Sequence, residues 1–450
     1  MPMPKQLPPI PGGPDGRRML WINLIDKTGS GLWVAVTALY FVVIGGLGTA
    51  QAGLLLGLGG AAGIAGAPVA GRLADRLPLT RVLFAVQLLR GASSLLLLLA
   101  HGFWQLLPLV ALGSFGERAA SVLTKLFAAR VAGPERARYQ AVQRTVVNVG
   151  YTIGGLGASA ALAIGTSTVY RALLLGDALS FVLVAALVAR CAEPPSASRT
   201  VTGHLATAGG APPAPGQVPP AANPWRDRGY LAYAALDSAM FLYGCALSVG
   251  MPLWIITRTD APHGLAAAIF VVNTVIVVAF QVRLSRYGRS PRVAADSLRR
   301  VAVWFLLSGA ATATAVVHAR WTATAAVLAA AVAFTVVEMI QSAVSWELSV
   351  ALAPGDAQGA YVGVHGLAQS TSRCVGPLLM TSVVIATGPA GWIALGAVLA
   401  AAALLQRRLV LRRLDGLERT AGRTDAADAG TADSGAEPSL SVPPITVSEH

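Results

Sequence analysis

Apolar residues run along this chain in long, nearly unbroken blocks separated by short basic turns, a pattern unlike the half-apolar faces of soluble helices and strands. A bilayer core about 30 Å thick calls for about 20 apolar residues per spanning helix. Twelve blocks reach that length, near 19–46, 50–70, 81–101, 104–127, 141–165, 170–190, 229–257, 264–283, 300–318, 321–346, 361–387 and 389–406. The rhythm breaks after the sixth block. Residues 192–226 hold runs such as Gly209-Gly210-Ala211-Pro212-Pro213, which cannot pack a core, and residues 1–18 share their Pro and Gly content. The expected organisation is a cytoplasmic arm (1–18), a six-helix bundle (19–191), a cytoplasmic linker (192–226), a second six-helix bundle of similar length (227–408) and a disordered cytoplasmic tail (409–450). The fold class is all-α integral membrane, twelve transmembrane helices in two pseudo-symmetric bundles.

Composition supports this reading. With 54% hydrophobic and 12% charged residues, the 450-residue chain carries too much apolar surface for a soluble protein. Lys and Arg set membrane orientation, and of the 34 present only Arg171, Arg258 and Arg320 fall in the odd-numbered connections between blocks, whereas the arm, tail and even-numbered connections are rich in them. Both termini are therefore expected in the cytoplasm, with the chain in the inner membrane. The net charge of +13 then faces the anionic leaflet and calls for no nucleic-acid partner. The first block carries Asp26 and Lys27 and reads as a retained helix rather than a cleaved signal.

Several function classes drop out. None of the three lysines, Lys5, Lys27 and Lys125, follows a glycine as a phosphate loop requires, so an ion gradient must supply any energy. The six histidines and the cysteines Cys191, Cys245 and Cys374 show no metal-ligand or disulfide spacing. Neither a cofactor nor a catalytic constellation is expected.

The most specific motif is Gly71-Arg72-Leu73-Ala74-Asp75-Arg76, followed by Arg81, in the turn after the second block. The turn after the eighth block, Arg283-Leu284-Ser285-Arg286-Tyr287-Gly288-Arg289, keeps the arginines and lacks the carboxylate, as a diverged duplicate would. The motif resembles the Gly-x-x-x-Asp-Arg-x-Gly-Arg-Arg loop of the major facilitator superfamily, in the branch of twelve-helix drug and small-molecule transporters common in actinobacteria. Gly71, Asp75, Arg76 and Arg81 match; Pro78 replaces the second glycine. The resemblance implies that Asp75 holds the cytoplasmic side shut against the start of the eleventh helix. Gly150, Gly154, Gly155 and Gly157 in the fifth block are similar to the family's glycine-rich antiporter motif without its proline. Close helix packing accounts for the same glycines equally well.

An ionisable residue at membrane depth costs at least about 2.5–3.5 kcal/mol and faces a partner or a watery cavity. The resemblance implies that the first, fourth, seventh and tenth helices line a central cavity. Each carries charge: Asp26 with Lys27, Glu117 with Arg118, Asp237, and Glu338. These are the candidate proton and substrate residues, with Arg118 suited to a substrate anion. Adjacent side chains on a helix diverge by about 100°, so one of Glu117 and Arg118 is expected to face the cavity and the other a neighbouring helix. Asp177 reads as a packing hydrogen-bond acceptor, and Arg90, Lys125, Glu347 and Arg373 as interfacial or paired.

The reading that follows is proton-coupled export of a small amphiphilic or drug-like compound, with a small-molecule substrate, protons and the lipid bilayer as partners. A proton-coupled uptake symporter and a transport-inactive receptor or scaffold remain alternatives.

Overall fold

The structure, a computed structural model, describes residues 11–164, 166–194, 222–262, 264–316 and 319–433. Each predicted block falls on a helix. The first six are α1 (Gly13–Val43), α2 (Thr49–Gly63 continued by Gly66–Arg76), α3 (Leu79–Leu97), α4 (Phe103–Ala132), α5 (Arg136–Ile164) and α6 (Ser167–Val188). The second six begin with α7, assembled from Arg228–Met240, Leu242–Cys245, a π-helical turn Ala246–Gly250 and Met251–Arg258. They continue with α8 (Leu265–Leu284), α9 (Pro291–Thr314), α10 (Arg320–Ala351), α11 (Gln358–Leu379, with a π-helical extension Met380–Ile385) and α12 (Pro389–Asp433). No strand occurs among the described residues.

Eight of these, α2, α3, α4, α6, α7, α8, α10 and α12, are long and apolar enough to cross a membrane. Among the described residues the remaining four, α1, α5, α9 and α11, do not reach that measure, and α1 carries Asp26 and Lys27 within its length. Intramembrane charge of this kind belongs on faces turned toward other helices rather than lipid.

Packing separates the helices into two groups. In the first, α1 packs on α5 and α6, α3 on α4 and α6, and α2 on α4; in the second, α9 packs on α10 and α12, and α7 on α11 and α12. The groups meet along two main seams, α2 against α11 and α5 against α8 and α10. The second bundle has one large apolar core around Trp254, Phe305, Phe334 and Trp392. The first bundle has two cores. One, around Leu83, Leu123 and Phe127, also takes in Trp346, Val350 and Val362 of the second bundle. The other, around Tyr40, Phe41 and Leu106 at the far end of α1, takes in none. The apolar seal between bundles therefore lies at the end that carries the arginine-rich turns.

Three boundaries differ from those expected. Helix α2 breaks at Ile64 and Ala65, because Pro68 has no N–H for the Ile64 carbonyl one turn earlier and its ring crowds that carbonyl. Helix α1 starts at Gly13, inside the predicted arm, where Tyr139 donates to the Gly16 carbonyl at 2.9 Å and fixes its first turn. Helix α12 continues to Asp433, through much of the segment 409–450 read as a disordered tail. Val410 and Leu414 extend its buried stripe at four-residue spacing, and Arg413 between them grips Asp227 at 2.8 and 2.6 Å. Asp227 also caps α7 by accepting from Tyr230 N–H, and the Arg413 guanidinium holds its carboxyl down at about 2. Most of the predicted linker (195–221), the first ten residues and 434–450 lie outside the described residues.

Candidate functional site

At the basic end, α2 and α11 touch backbone to backbone. A Cβ on Gly71 would sit 2.1 Å from the Gly359 carbonyl oxygen, and one on Gly359 2.2 Å from the Gly71 carbonyl, so only glycine allows this approach. The approach brings Asp75 onto the first turn of α11, whose amides have no partner within the helix. Gly359 N–H donates to Asp75 Oδ1 at 2.8 Å and Ala360 N–H to Oδ2 at 2.7 Å. The positive end of the α11 dipole adds to this contact. Arg130, at the end of α4, approaches the same carboxylate to 3.9 Å. Arg76 and Arg81, predicted as part of the gate, are exposed and form no ion pair with Asp75. They follow α2 onto the outer surface, and the basic neighbour is supplied by α4 instead.

Two further contacts join the bundles beside this one. Arg136 of α5 grips Glu347 of α10 through two bonds of 2.6 Å, and Arg144 pairs with Glu338. The arginines are eight positions apart on α5 and the acids nine apart on α10 in the opposite sense, so the pairs form two rungs between antiparallel helices. At 1.5 Å per residue the rungs stand about 12 Å apart. Glu338 Oε2 also accepts from Asn273 of α8 at 2.7 Å. Separating the bundles at this end means breaking the Asp75 contact and both rungs.

Toward the middle of α1, Asp26 is buried between two cations. Lys27 Nζ lies 2.7 Å from one oxygen and Arg90 Nη1 of α3 lies 2.5 Å from the other. Arg90 also donates to Gln87 at 3.0 Å and stacks over Phe181 of α6 at 3.9 Å. Asp177 of α6 accepts from Ser94 at 3.4 Å. Helix α1 lies close to α5 because a Cβ at Gly154 would be 2.2 Å from the Thr28 carbonyl, while Gly150 and Gly157 face Lys27 and Leu32. Gly155 faces open space. Three of the four predicted glycines thus serve packing, and through it they position the Asp26 pair.

Asp237, predicted to face the cavity, does not line it. It is fully buried in the second bundle and accepts from Ser345 at 2.6 Å, His365 Nε2 at 2.8 Å, Gln341 at 2.9 Å and Gln406 at 3.2 Å. Three helices, α10, α11 and α12, supply these donors to Asp237 of α7, and Tyr233 stacks on His365 at 5.8 Å. The side chain points into the bundle because its donors all lie there, and only Ser345 of this group borders the space between the bundles.

That space is a cleft in two connected parts of about 320 and 240 Å³, which share Ser121, Gln143, Gln369 and Arg373. Glu117 and Arg118 both line it, contrary to the expectation that one would turn away. The cleft wraps around the exposed edge of α4, and Arg118 is long enough to reach across it to Ser370 of α11 at 3.2 Å. Asp26 and Lys27 border the same space, as does Arg144 with its partner Glu338 behind it. A third pocket of about 210 Å³ inside the first bundle meets the cleft at Glu117 and Tyr151.

Sequence reasoning left Arg90 and Glu347 without assigned roles, although a buried arginine in a 19-residue apolar helix has to find an acid. His365 carried no such signal. It is one of six scattered histidines, and only the tertiary fold brings it to Asp237.

The profile of the Major Facilitator Superfamily matches residues 22–377. No curated protein matches the sequence. Among solved structures, the fold is similar to a bacterial homologue of the iron transporter ferroportin in an outward-facing state, with a TM-score of 0.63 and 14% identity over 89% of this chain and 99% of that one. It is similar to the proton:xylose symporter XylE, with a TM-score of 0.63 and 14% identity over 88% of this chain and 95% of the other. It is also similar to the human organic anion transporter MFSD10, with a TM-score of 0.57 and 15% identity over 88% and 100%. At these identities the structural likeness concerns the fold alone. The profile match spans most of the chain, and with the two-bundle architecture it places this multi-pass membrane protein in the major facilitator superfamily, a family of transporters rather than enzymes.

Proposed function

We propose that this protein is a proton-coupled secondary transporter that exports a small amphiphilic compound by alternating access. The observation that carries the reading is a charged cleft between two bundles, closed at one end by Asp75 on the α11 amides and by the rungs Arg136 with Glu347 and Arg144 with Glu338. The distribution of Lys and Arg makes that end cytoplasmic, so the chain rests in its outward-facing form with both termini inside. Rocking the bundles about the cleft exchanges which end is open.

Glu338 is the carboxylate best placed to carry the proton, because its charge holds a rung and its partner borders the cleft. Protonation would release Arg144 and weaken the closed end, so the proton's differential binding drives the change of state. Asp26, gripped by two cations, serves as the fixed counter-charge of the first bundle. The experiment is flux of candidate compounds in proteoliposomes under an imposed pH gradient. Glu338→Gln should abolish the gradient dependence while keeping exchange at equal pH. Gradient-driven flux that survives this change overturns the coupling assignment, and accumulation in the opposite direction makes the protein an uptake symporter. No gradient-dependent flux of any compound makes it a receptor or scaffold.

A further inference from the structure

The charges around the cleft do not cancel. Lys27 is taken up by Asp26 and Arg144 by Glu338, which leaves Arg118, Lys125 and Arg373 lining the connected cleft against one carboxylate, Glu117. Lys125 and Arg373 make no hydrogen bond or ion pair among the described residues. Arg118 donates once, to Ser370, and its Nε is buried without a partner. All three sit in the middle or inner part of their helices, where an uncompensated cation costs about 2.5–3.5 kcal/mol even on the mildest scale. Both bundles contribute: Arg118 and Lys125 stand on α4, two turns apart along one stripe, and Arg373 stands on α11. The cations therefore converge on a space that opens and closes, not on a static core.

The space next to them differs in character. The pocket inside the first bundle, reached past Glu117 and Tyr151, has an aromatic and aliphatic wall of Trp33, Phe41, Leu97 and Phe181 opposite a polar one that includes the charged Arg90 and Asp177. Resting on the transporter reading above, we infer that the cargo is a small amphiphilic organic anion, its oxyanion held by Arg118, Lys125 and Arg373 and its apolar body directed toward that aromatic pocket. The guanidinium groups offer paired N–H donors that match a carboxylate, sulfonate or phosphate, and Lys125 adds a point charge. A neutral or cationic cargo would leave these three cations with only Glu117 in the cleft and, for Lys125, the buried Asp237 behind its wall as counter-charges.

A cysteine at Ser121, which borders both parts of the cleft, reports the potential there without any assumption about cargo. In full-length Cys374→Ser/Ser121→Cys protein, the rate of modification by an anionic methanethiosulfonate (ethylsulfonate) is compared with that of a cationic one (ethyltrimethylammonium). Relative to a free thiol in solution, the anion should be favoured about tenfold or more, as expected where one sign of charge is focused in a cleft. Arg118→Gln/Lys125→Gln/Arg373→Gln should remove that preference. A ratio equal to the solution value, or one untouched by the triple change, overturns the inference. In the same protein 2-naphthoate should slow modification and 2-naphthamide should not; equal protection by the two, or none by either, counts against an anionic cargo. Neither readout requires flux. Failure here with gradient-driven flux intact removes the anion assignment alone, whereas loss of all flux removes the transporter reading.

Discussion

Asp26 and Asp237 stand on the opening helices of the two bundles, each buried, yet they are satisfied in different ways. Asp26 is held by two full charges, Lys27 and Arg90, at the edge of the cleft. Asp237 is held by Gln341, Ser345, Gln406 and His365, all within its own bundle, and of these only Ser345 reaches the cleft wall. The first arrangement sets an acid at the edge of the cleft; the second ties four helices to one another. The opening helix of each bundle thus carries a buried acid, and the partners of the two acids differ in kind. The Asp26 arrangement sets charge at the edge of the cleft, and the Asp237 arrangement closes a polar shell inside the second bundle.

The largest effect that separates the two sites should come from Arg90→Met. It removes one of the two cations that hold Asp26 and leaves Lys27 as the remaining one, and breaking a buried pair costs up to about 3–5 kcal/mol. Thermal unfolding in detergent should show the loss, and adding Asp26→Asn should not recover it, because Lys27 then loses its own partner. Gln341→Leu is the matching test in the second bundle. It removes one of four donors and should cost about 1–3 kcal/mol. A loss as large as that of Arg90→Met would erase the distinction drawn here. Asp75→Asn should destabilise the closed end by about 0.3–1 kcal/mol, the value of a carboxylate at a helix N-terminus, with little change in global unfolding. Arg81→Gln, on the exposed face of the gate turn, should stay within about 0.5 kcal/mol in the same unfolding assay. A larger loss would restore to Arg81 the gate role that the geometry gives to Arg130.

Hydropathy was enough to find the helices because lipid demands long apolar blocks, and every predicted block lies on one. It was blind to detail set by single contacts. Pro68 breaks α2 inside a block that reads as continuous, and the stripe of Val410 and Leu414 carries α12 past the point where apolar content falls. The gate was partly legible: the spacing of Gly71 and Asp75 follows a recurring motif, but the guanidinium beside Asp75 comes from Arg130, more than fifty residues away. Charges at membrane depth marked Asp26, Glu117 and Arg118, which border the cleft, and Glu338, which stands behind Arg144. The same rule misjudged Asp237, since a buried acid satisfied by amides and an imidazole carries the same letter as one facing a cavity. Which partner a charge takes is decided by helix packing, and the sequence carries that information through glycines such as Gly71, Gly154 and Gly359, where the backbones meet.

The central claim is that the end bearing the basic turns opens and closes, and that Asp75 and the Glu338 rung hold it shut. The most direct measurement is the distance between spin labels at Arg72 and Asp356, exposed positions flanking the contact of α2 with α11, taken in lipid by double electron–electron resonance. The account predicts a dominant short distance with a minor longer one in the native protein, and a clear gain of the longer population in Asp75→Asn/Glu338→Gln. A single distance, identical in the native protein and in that variant, would contradict it.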